Sequence, residues 1–104
     1  MIMPLKRDLA EIGRHAEAAA GLLRALSHEA RLKVLCELVS GERSAGELVK
    51  AAGLSQSALS QHLARLREEG VVATRRDGQT IFYRLADPQV SRVLETLHDL
   101  YCRK

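Results

Sequence analysis

Apolar residues recur with helical spacing along most of this chain, interrupted by one short stretch rich in β-branched and aromatic residues. From about Leu5 to Ala25 the stripe Leu9, Ile12, Ala16, Ala19, Leu22, Leu23 and Leu26 predicts a first helix. Lys6, Arg7, Glu11, Arg14 and Glu17 lie off that stripe. Gly13 and Gly21 weaken this helix in isolation. Ser27 is the expected N-cap of a second helix, His28 to Val39, with Leu32, Leu35, Cys36, Leu38 and Val39 facing inward and Gly41 ending it. Ser44-Ala-Gly-Glu47 fits a capping box, in which Ser and Glu satisfy free N–H groups reciprocally. It opens a short helix, Ala45 to Ala52, that Gly53 closes. Ser55 then caps a helix running to Glu69, with Gly70 as its stop and Leu59, His62, Leu63 and Leu66 on one buried face. Val71–Arg76 and Thr80–Leu85 read as strands from the β-branched and aromatic content of Val72, Thr74, Ile81, Tyr83 and Leu85, joined by the hairpin signal Asp77-Gly78. Asp87-Pro88 starts the last helix, with an N-cap and then a proline where no N–H is needed. Its apolar stripe is Val90, Val93, Leu94, Leu97 and Tyr101.

The outer face of the Ser55–Glu69 helix is unusual. Gln56, Ser57, Ser60 and Gln61 put four short, uncharged hydrogen-bonding side chains on its first two turns, and charge returns only at Arg65, Arg67, Glu68 and Glu69. A solvated face is the ordinary reading of such a stretch. A DNA major groove is the sharper one: glutamine pairs with adenine edges, serine allows close approach, and nothing there repels phosphate. The neighbours favour the second reading. Two helices joined through Ala-Gly-Leu-Ser, with the polar face on the second, make a helix-turn-helix. The hairpin that follows carries Arg75, Arg76 and Arg84, as a wing reaching phosphates or the minor groove would. Gln56, Ser57, Ser60, Gln61, Arg65, Arg75 and Arg76 are therefore the candidate DNA contacts.

Composition bounds this picture without changing it. At 104 residues the chain is expected to be one domain, residues 1–104. Hydrophobic residues reach 46% but aromatics only 3%, so the core must be aliphatic. A domain this small is marginal alone, which favours a homodimer, and the apolar first and last helices are the natural surface for one. A net charge of +3 permits a polyanionic partner. No apolar run is long enough for a membrane span and the N-terminus lacks the apolar core of a signal peptide, so a cytoplasmic protein is expected. Thiols are normally reduced there, and Cys36 and Cys102 call for a reading other than a routine disulfide.

The order helix, helix, helix, recognition helix, hairpin, helix resembles the ArsR family of winged-helix repressors over nearly the whole chain. Ala25-Leu-Ser-His-Glu-Ala-Arg-Leu-Lys-Val-Leu35 is similar to the family's second-helix opening. Leu54-Ser-Gln-Ser-Ala-Leu-Ser-Gln-His-Leu63 and Leu66-Arg-Glu-Glu-Gly-Val-Val72 resemble its recognition segment, and Arg75-Arg-Asp-Gly-Gln-Thr-Ile-Phe-Tyr-Arg-Leu85 its wing. The resemblance implies a mainly α fold with a small β-hairpin: a winged helix-turn-helix, homodimeric through its first and last helices. It also implies binding to inverted-repeat operator DNA, released by an inducer.

Metal-sensing branches of the family use Cys-x-Cys after the second-helix opening, or Asp/His sets on the last helix. Here the matching segments read Leu35-Cys36-Glu37-Leu38 and Asp87-Pro88-Gln89, and fit neither pattern. Cys36 and Cys102, with the ending Leu94-Glu-Thr-Leu-His-Asp-Leu-Tyr-Cys102, resemble the sulfide- and persulfide-responsive members. That resemblance implies a two-thiol switch, bridged by a disulfide or polysulfide when reactive sulfur species arrive, with no cofactor. The chemistry asks for at least one accessible thiol of lowered pKa. Two alternatives stay open: both cysteines as buried, inert small hydrophobes, or a metal site of Cys36, His98 and Cys102, the last two being i, i+4 on one helix face. His62 reads as a packing residue, and His15 and His28 have no partner at ligand spacing. No nucleophile triad, phosphate-cradling glycine loop or close carboxylate pair supports an enzyme. A pure protein-interaction module is the remaining rival, resting on the apolar terminal helices.

Overall fold

The structure, a computed structural model, describes the backbone of residues 6–102 and the side chains of 10–102; Leu5 and the Leu9 side chain lie outside the described residues. Its helices are α1 (Lys6–Arg14), α2 (Ala16–Leu26), α3 (Glu29–Val39), α4 (Ala45–Ala52), α5 (Gln56–Glu68) and α6 (Pro88–Tyr101). Its strands are β1 (Arg43–Ser44), β2 (Val72–Asp77) and β3 (Thr80–Leu85). This is a winged helix-turn-helix: α4 and α5 form the helical pair and β2–β3 the wing.

Local chemistry sets most element ends. The Ser44 hydroxyl accepts the Glu47 N–H at 3.3 Å and the Glu47 carboxylate accepts the Ser44 N–H at 2.8 Å, completing the capping box. Hydrogen bonding to the carboxylate from the Ser44 backbone N–H first, then from the Ser44 side chain, holds the Glu47 carboxyl below its ordinary pKa. Gly53 ends α4 at φ 67°, a left-handed conformation that costs glycine little. The Ser55 hydroxyl accepts from Ala58 N–H at 3.2 Å, and the Asp87 carboxylate accepts from Gln89 N–H at 2.9 Å ahead of Pro88.

Four features differ from the sequence expectation. The single helix from Leu5 to Ala25 is broken at His15, which leaves the helical region at φ −109°, ψ 17°, while its carbonyl accepts the first bond of α2 from Ala19 N–H. Gly13 lies at this weak point. Ser27 does not cap α3. Its hydroxyl donates back to the Arg24 carbonyl, and the His28 ring caps instead, Nδ1 accepting Ala30 N–H at 3.1 Å. The hairpin is extended to three strands in the order β1-β3-β2, with Arg43 opposite Tyr83 and Ser44 opposite Phe82. Cys36 and Val39 do not face inward: both are exposed, while Leu35 and Leu38 are buried.

The core is aliphatic, as composition required. Val34, Leu35 and Leu38 of α3 meet Leu48 of α4, Leu59, Leu63 and Leu66 of α5, Val72 of β2, and Val90 and Leu94 of α6. Burying each such side chain contributes about 1.5–3 kcal/mol. The inner face of α5 is thereby fixed, which turns Gln56, Ser57, Ser60 and Gln61 outward.

Beside this core sits one polar joint. Half-buried His62 accepts Arg31 Nε–H through Nδ1 at 3.2 Å, and its ring lies 4.6 Å from that of His28. Partial burial first, then the charges of His28 and Arg31, hold the His62 pKa below its ordinary value. The joint therefore uses neutral imidazole. Its contribution is complete above the unfolded pKa near 6.5 and is lost as pH falls below that value towards the folded one, because the unfolded chain takes up the proton first. Urea midpoints at pH 7.5 and 5.5 check this: acidification should cost the wild type more than His62→Gln, and equal losses would exclude the joint as a source.

Candidate nucleic-acid interface and thiol pair

The first turns of α5 carry Gln56, Ser57, Ser60 and Gln61, all exposed, with no acidic residue in the first turn. The free N–H groups and partial positive charge of a helix start add to the suitability of this end for an anionic surface. Ser57 also lies 3.4 Å, oxygen to oxygen, from the capping Ser55. Arg65 and Arg67 are exposed in the last turn.

Cross-strand pairing sorts the wing into two faces. Val72 opposite Leu85, Thr74 opposite Tyr83 and Arg76 opposite Ile81 share the core side; Ala73 opposite Arg84 and Arg75 opposite Phe82 share the other. Arg76 lies next to the turn, exposed, and Gly78 at φ 63° makes the turn possible. Arg84 is also exposed. Arg75, expected from sequence to face phosphate, is engaged otherwise. Its Nε–H lies 2.9 Å from both carboxylate oxygens of Glu42, its Nη2 is 2.9 Å from Glu42 Oε1, and its guanidinium stands 4.5 Å from the centre of the Phe82 ring. Glu42 had no signal in the sequence, since its partner lies 33 positions away.

The thiols line one cleft at the other side of α3. Cys36 and Cys102 are free and exposed, which removes the reading of two buried, inert side chains. A cleft of about 220 Å³ between α3 and α6 is lined by Leu32, Cys36, Leu97, His98, Tyr101 and Cys102. Cys102 closes α6, its N–H bonded to the His98 carbonyl at 2.8 Å. Partial desolvation pushes the Cys36 thiol above its ordinary pKa, with further contributions from the charges of Cys102 and Glu37. Cys36 is therefore not a thiol of lowered pKa. His98 shares the cleft, yet among the described residues no group of three His, Cys, Asp or Glu side chains is placed to hold a metal ion. The set Cys36, His98 and Cys102 is thus not assembled as ligands.

Large apolar side chains remain exposed on the terminal elements: Ile12 of α1, Leu23 of α2, and Leu100 and Tyr101 of α6. Leu22, Leu23 and Val93 line a further cleft between α2 and α6. Among the described residues no helix is long and apolar enough to cross a membrane.

Comparison with known proteins places this geometry. Residues 28–74 match the family described as bacterial regulatory protein, arsR family. The chain is 48% identical over 96 residues to the transcriptional activator HlyU of Vibrio cholerae, covering 92% of this chain and 89% of that one. The crystal structure of the transcriptional repressor BigR from Xylella fastidiosa superposes with a TM-score of 0.86 at 40% identity, over 96% of this chain and all of that one (100%). Reduced HlyU from Vibrio cholerae superposes with a TM-score of 0.83 at 49% identity, over 88% and 97%. The chain belongs to the arsR family of bacterial regulatory proteins and is a transcriptional regulator of the winged helix-turn-helix type.

Proposed function

We propose that this regulator, acting over residues 1–104 as one DNA-binding domain, is a dithiol-responsive repressor. It binds inverted-repeat operator DNA as a homodimer and leaves it when Cys36 and Cys102 are bridged. The observation that carries the reading is the shared cleft: two exposed thiols from α3 and α6 line one small, otherwise mostly apolar recess. HlyU, a relative of similar sequence, has been described in a reduced form, and that supports a redox-linked state here.

The bridging chemistry balances with an organic persulfide as the sulfur donor and oxidant. One cysteine thiolate attacks the outer sulfur of RSSH, forming protein–SSH and releasing RS⁻. The second thiolate then attacks the protein-bound sulfur, HS⁻ leaves, and a disulfide forms. If both cysteines are first persulfidated, the persulfide anion of one attacks the protein-bound sulfur of the other, and loss of HS⁻ leaves a trisulfide. A direct disulfide needs Cα atoms within about 7 Å; an extra sulfur spans a wider gap.

Gln56, Ser57, Ser60 and Gln61 are the proposed base-reading residues, supported by their exposure at the start of α5. Arg65 and Arg76 are proposed phosphate contacts. The exposed apolar side chains of α1, α2 and α6 form the dimer surface. Two recognition helices then stand about 34 Å apart, one turn of DNA. A bridge ties α3 to α6, and so links the thiols to the dimer surface and to the spacing of the recognition helices.

Binding to a duplex from upstream of its own gene should weaken steeply with salt. Gln56→Ala or Gln61→Ala should cost about tenfold in specific binding and little in non-specific binding. Binding no tighter than to random DNA overturns the repressor reading. Treatment with an organic persulfide should add sulfur mass or close a bridge, and should release DNA from the wild type but not from Cys36→Ser. An unmodified protein, or release that survives in Cys36→Ser, contradicts the switch. The thiols can also be separated by rate. In Cys102→Ser the rise of Cys36 alkylation rate with alkaline pH should begin at lower pH than in the wild type, because the neighbouring charge that helps raise its pKa is removed; an unchanged pH profile would mean that the thiols do not sense one another.

A further inference from the structure

Glu42 stands at the place where the wing leaves the body of the protein. It lies in the turn between α3 and β1, and that turn is braced: Arg43 Nη1 donates to the Glu42 carbonyl and Nη2 to the Ser40 hydroxyl, each at 2.9 Å. Across from it, the Arg75 guanidinium is held between the Glu42 carboxylate and the Phe82 ring. The position along the sheet is telling. Ser44 opposite Phe82 is the last register of β1 on β3, and Phe82 is also the partner of Arg75 on β2. Beyond that register the wing is a two-stranded ribbon, Arg76 to Ile81, and such a ribbon is marginally stable by itself.

A lone surface ion pair is worth little. This one has a bidentate fork on a carboxylate whose side chain is only 30% exposed, and a stacked aromatic face behind it. The two charges also cancel one another at the root of the wing. We infer that Glu42 is a positioning residue for the wing, holding Arg75 as a brace at the hinge of the ribbon, so that Arg75 sets the angle of the tip instead of contacting phosphate. The inference rests on the DNA-binding reading for its purpose, though not for its geometry.

The test compares wild type, Glu42→Gln, Arg75→Gln, the double variant and Arg76→Gln on the upstream duplex across a salt series. Glu42→Gln and Arg75→Gln should each weaken binding about fivefold, with salt dependence close to that of the wild type. The double variant should be no weaker than the worse single one. Arg76→Gln, as a phosphate contact, should lower the log–log salt slope by about 0.9. If Arg75→Gln lowers the slope by that amount while Glu42→Gln binds normally, or if the two losses add, the brace is overturned. Hydrogen exchange gives a readout without DNA: in Glu42→Gln the amides of Arg76 and Ile81 should exchange faster, and unchanged exchange overturns the inference. A wild type that does not prefer its upstream duplex defeats the DNA reading alone, and the exchange measurement still decides the brace.

Discussion

Burial of Val34, Leu35 and Leu38 on one face of α3 is the constraint on which the other placements depend. These side chains sit at the centre of the core and are essentially without solvent. Leu59, Leu63 and Leu66 pack against the same core, so the outward direction of Gln56 and Gln61 follows from a contact made on the opposite side of α5. A helix turns about 100° per residue. With Leu35 inward, Cys36 is carried to the rim of α3, and Leu32, one turn earlier, joins it in lining the cleft against α6. One buried face thus fixes both the DNA-facing helix and the sensing side of the proposed switch.

Electrostatics divides the surface along the same lines. The start of α5 is free of acidic groups, and Glu68 and Glu69 lie at its far end. The acidic residue at the wing root, Glu42, is neutralised by Arg75. On the α3–α6 side partial desolvation first, then the charges of Cys102 and Glu37, disfavour negative charge at Cys36. Cationic and neutral groups are presented where DNA is proposed to bind, and the thiol cleft disfavours charge on Cys36.

Features made by residues close in sequence were legible. The Ser44–Glu47 box, the Ser55 and Asp87 caps, Gly53 and the Gly78 turn each depend on partners within about four positions, and each stands where the pattern put it. The wing and the helical pair followed from their order. Contacts across the fold were not legible: Arg31 with His62 spans 31 positions and Arg75 with Glu42 spans 33. The strand Arg43–Ser44 was hidden because two residues have no period and because Ser44 was already accounted for as a cap. The His28 cap was missed for a different reason, since imidazole is outside the usual capping set. Cys36 looked buried because Leu35 and Leu38 flank it. The pairing of Cys36 with Cys102 came from family resemblance alone.

The raised pKa of Cys36 changes how the proposed switch works. A thiol of high pKa is mostly protonated at neutral pH, so weak electrophiles meet little thiolate there. Once formed, that thiolate is the stronger nucleophile, because nucleophilicity rises with basicity. The mutual repulsion of Cys36 and Cys102 penalises the reduced pair only when both are ionised. A disulfide or trisulfide carries no charge and removes that penalty. In the proposed switch, rising pH therefore acts twice in the same direction: it supplies the attacking thiolate and makes the reduced pair less favourable than the bridged one. In the proposed switch the Cys36 sulfur rests protonated in a mostly apolar cleft until a donor of sulfane sulfur reaches it.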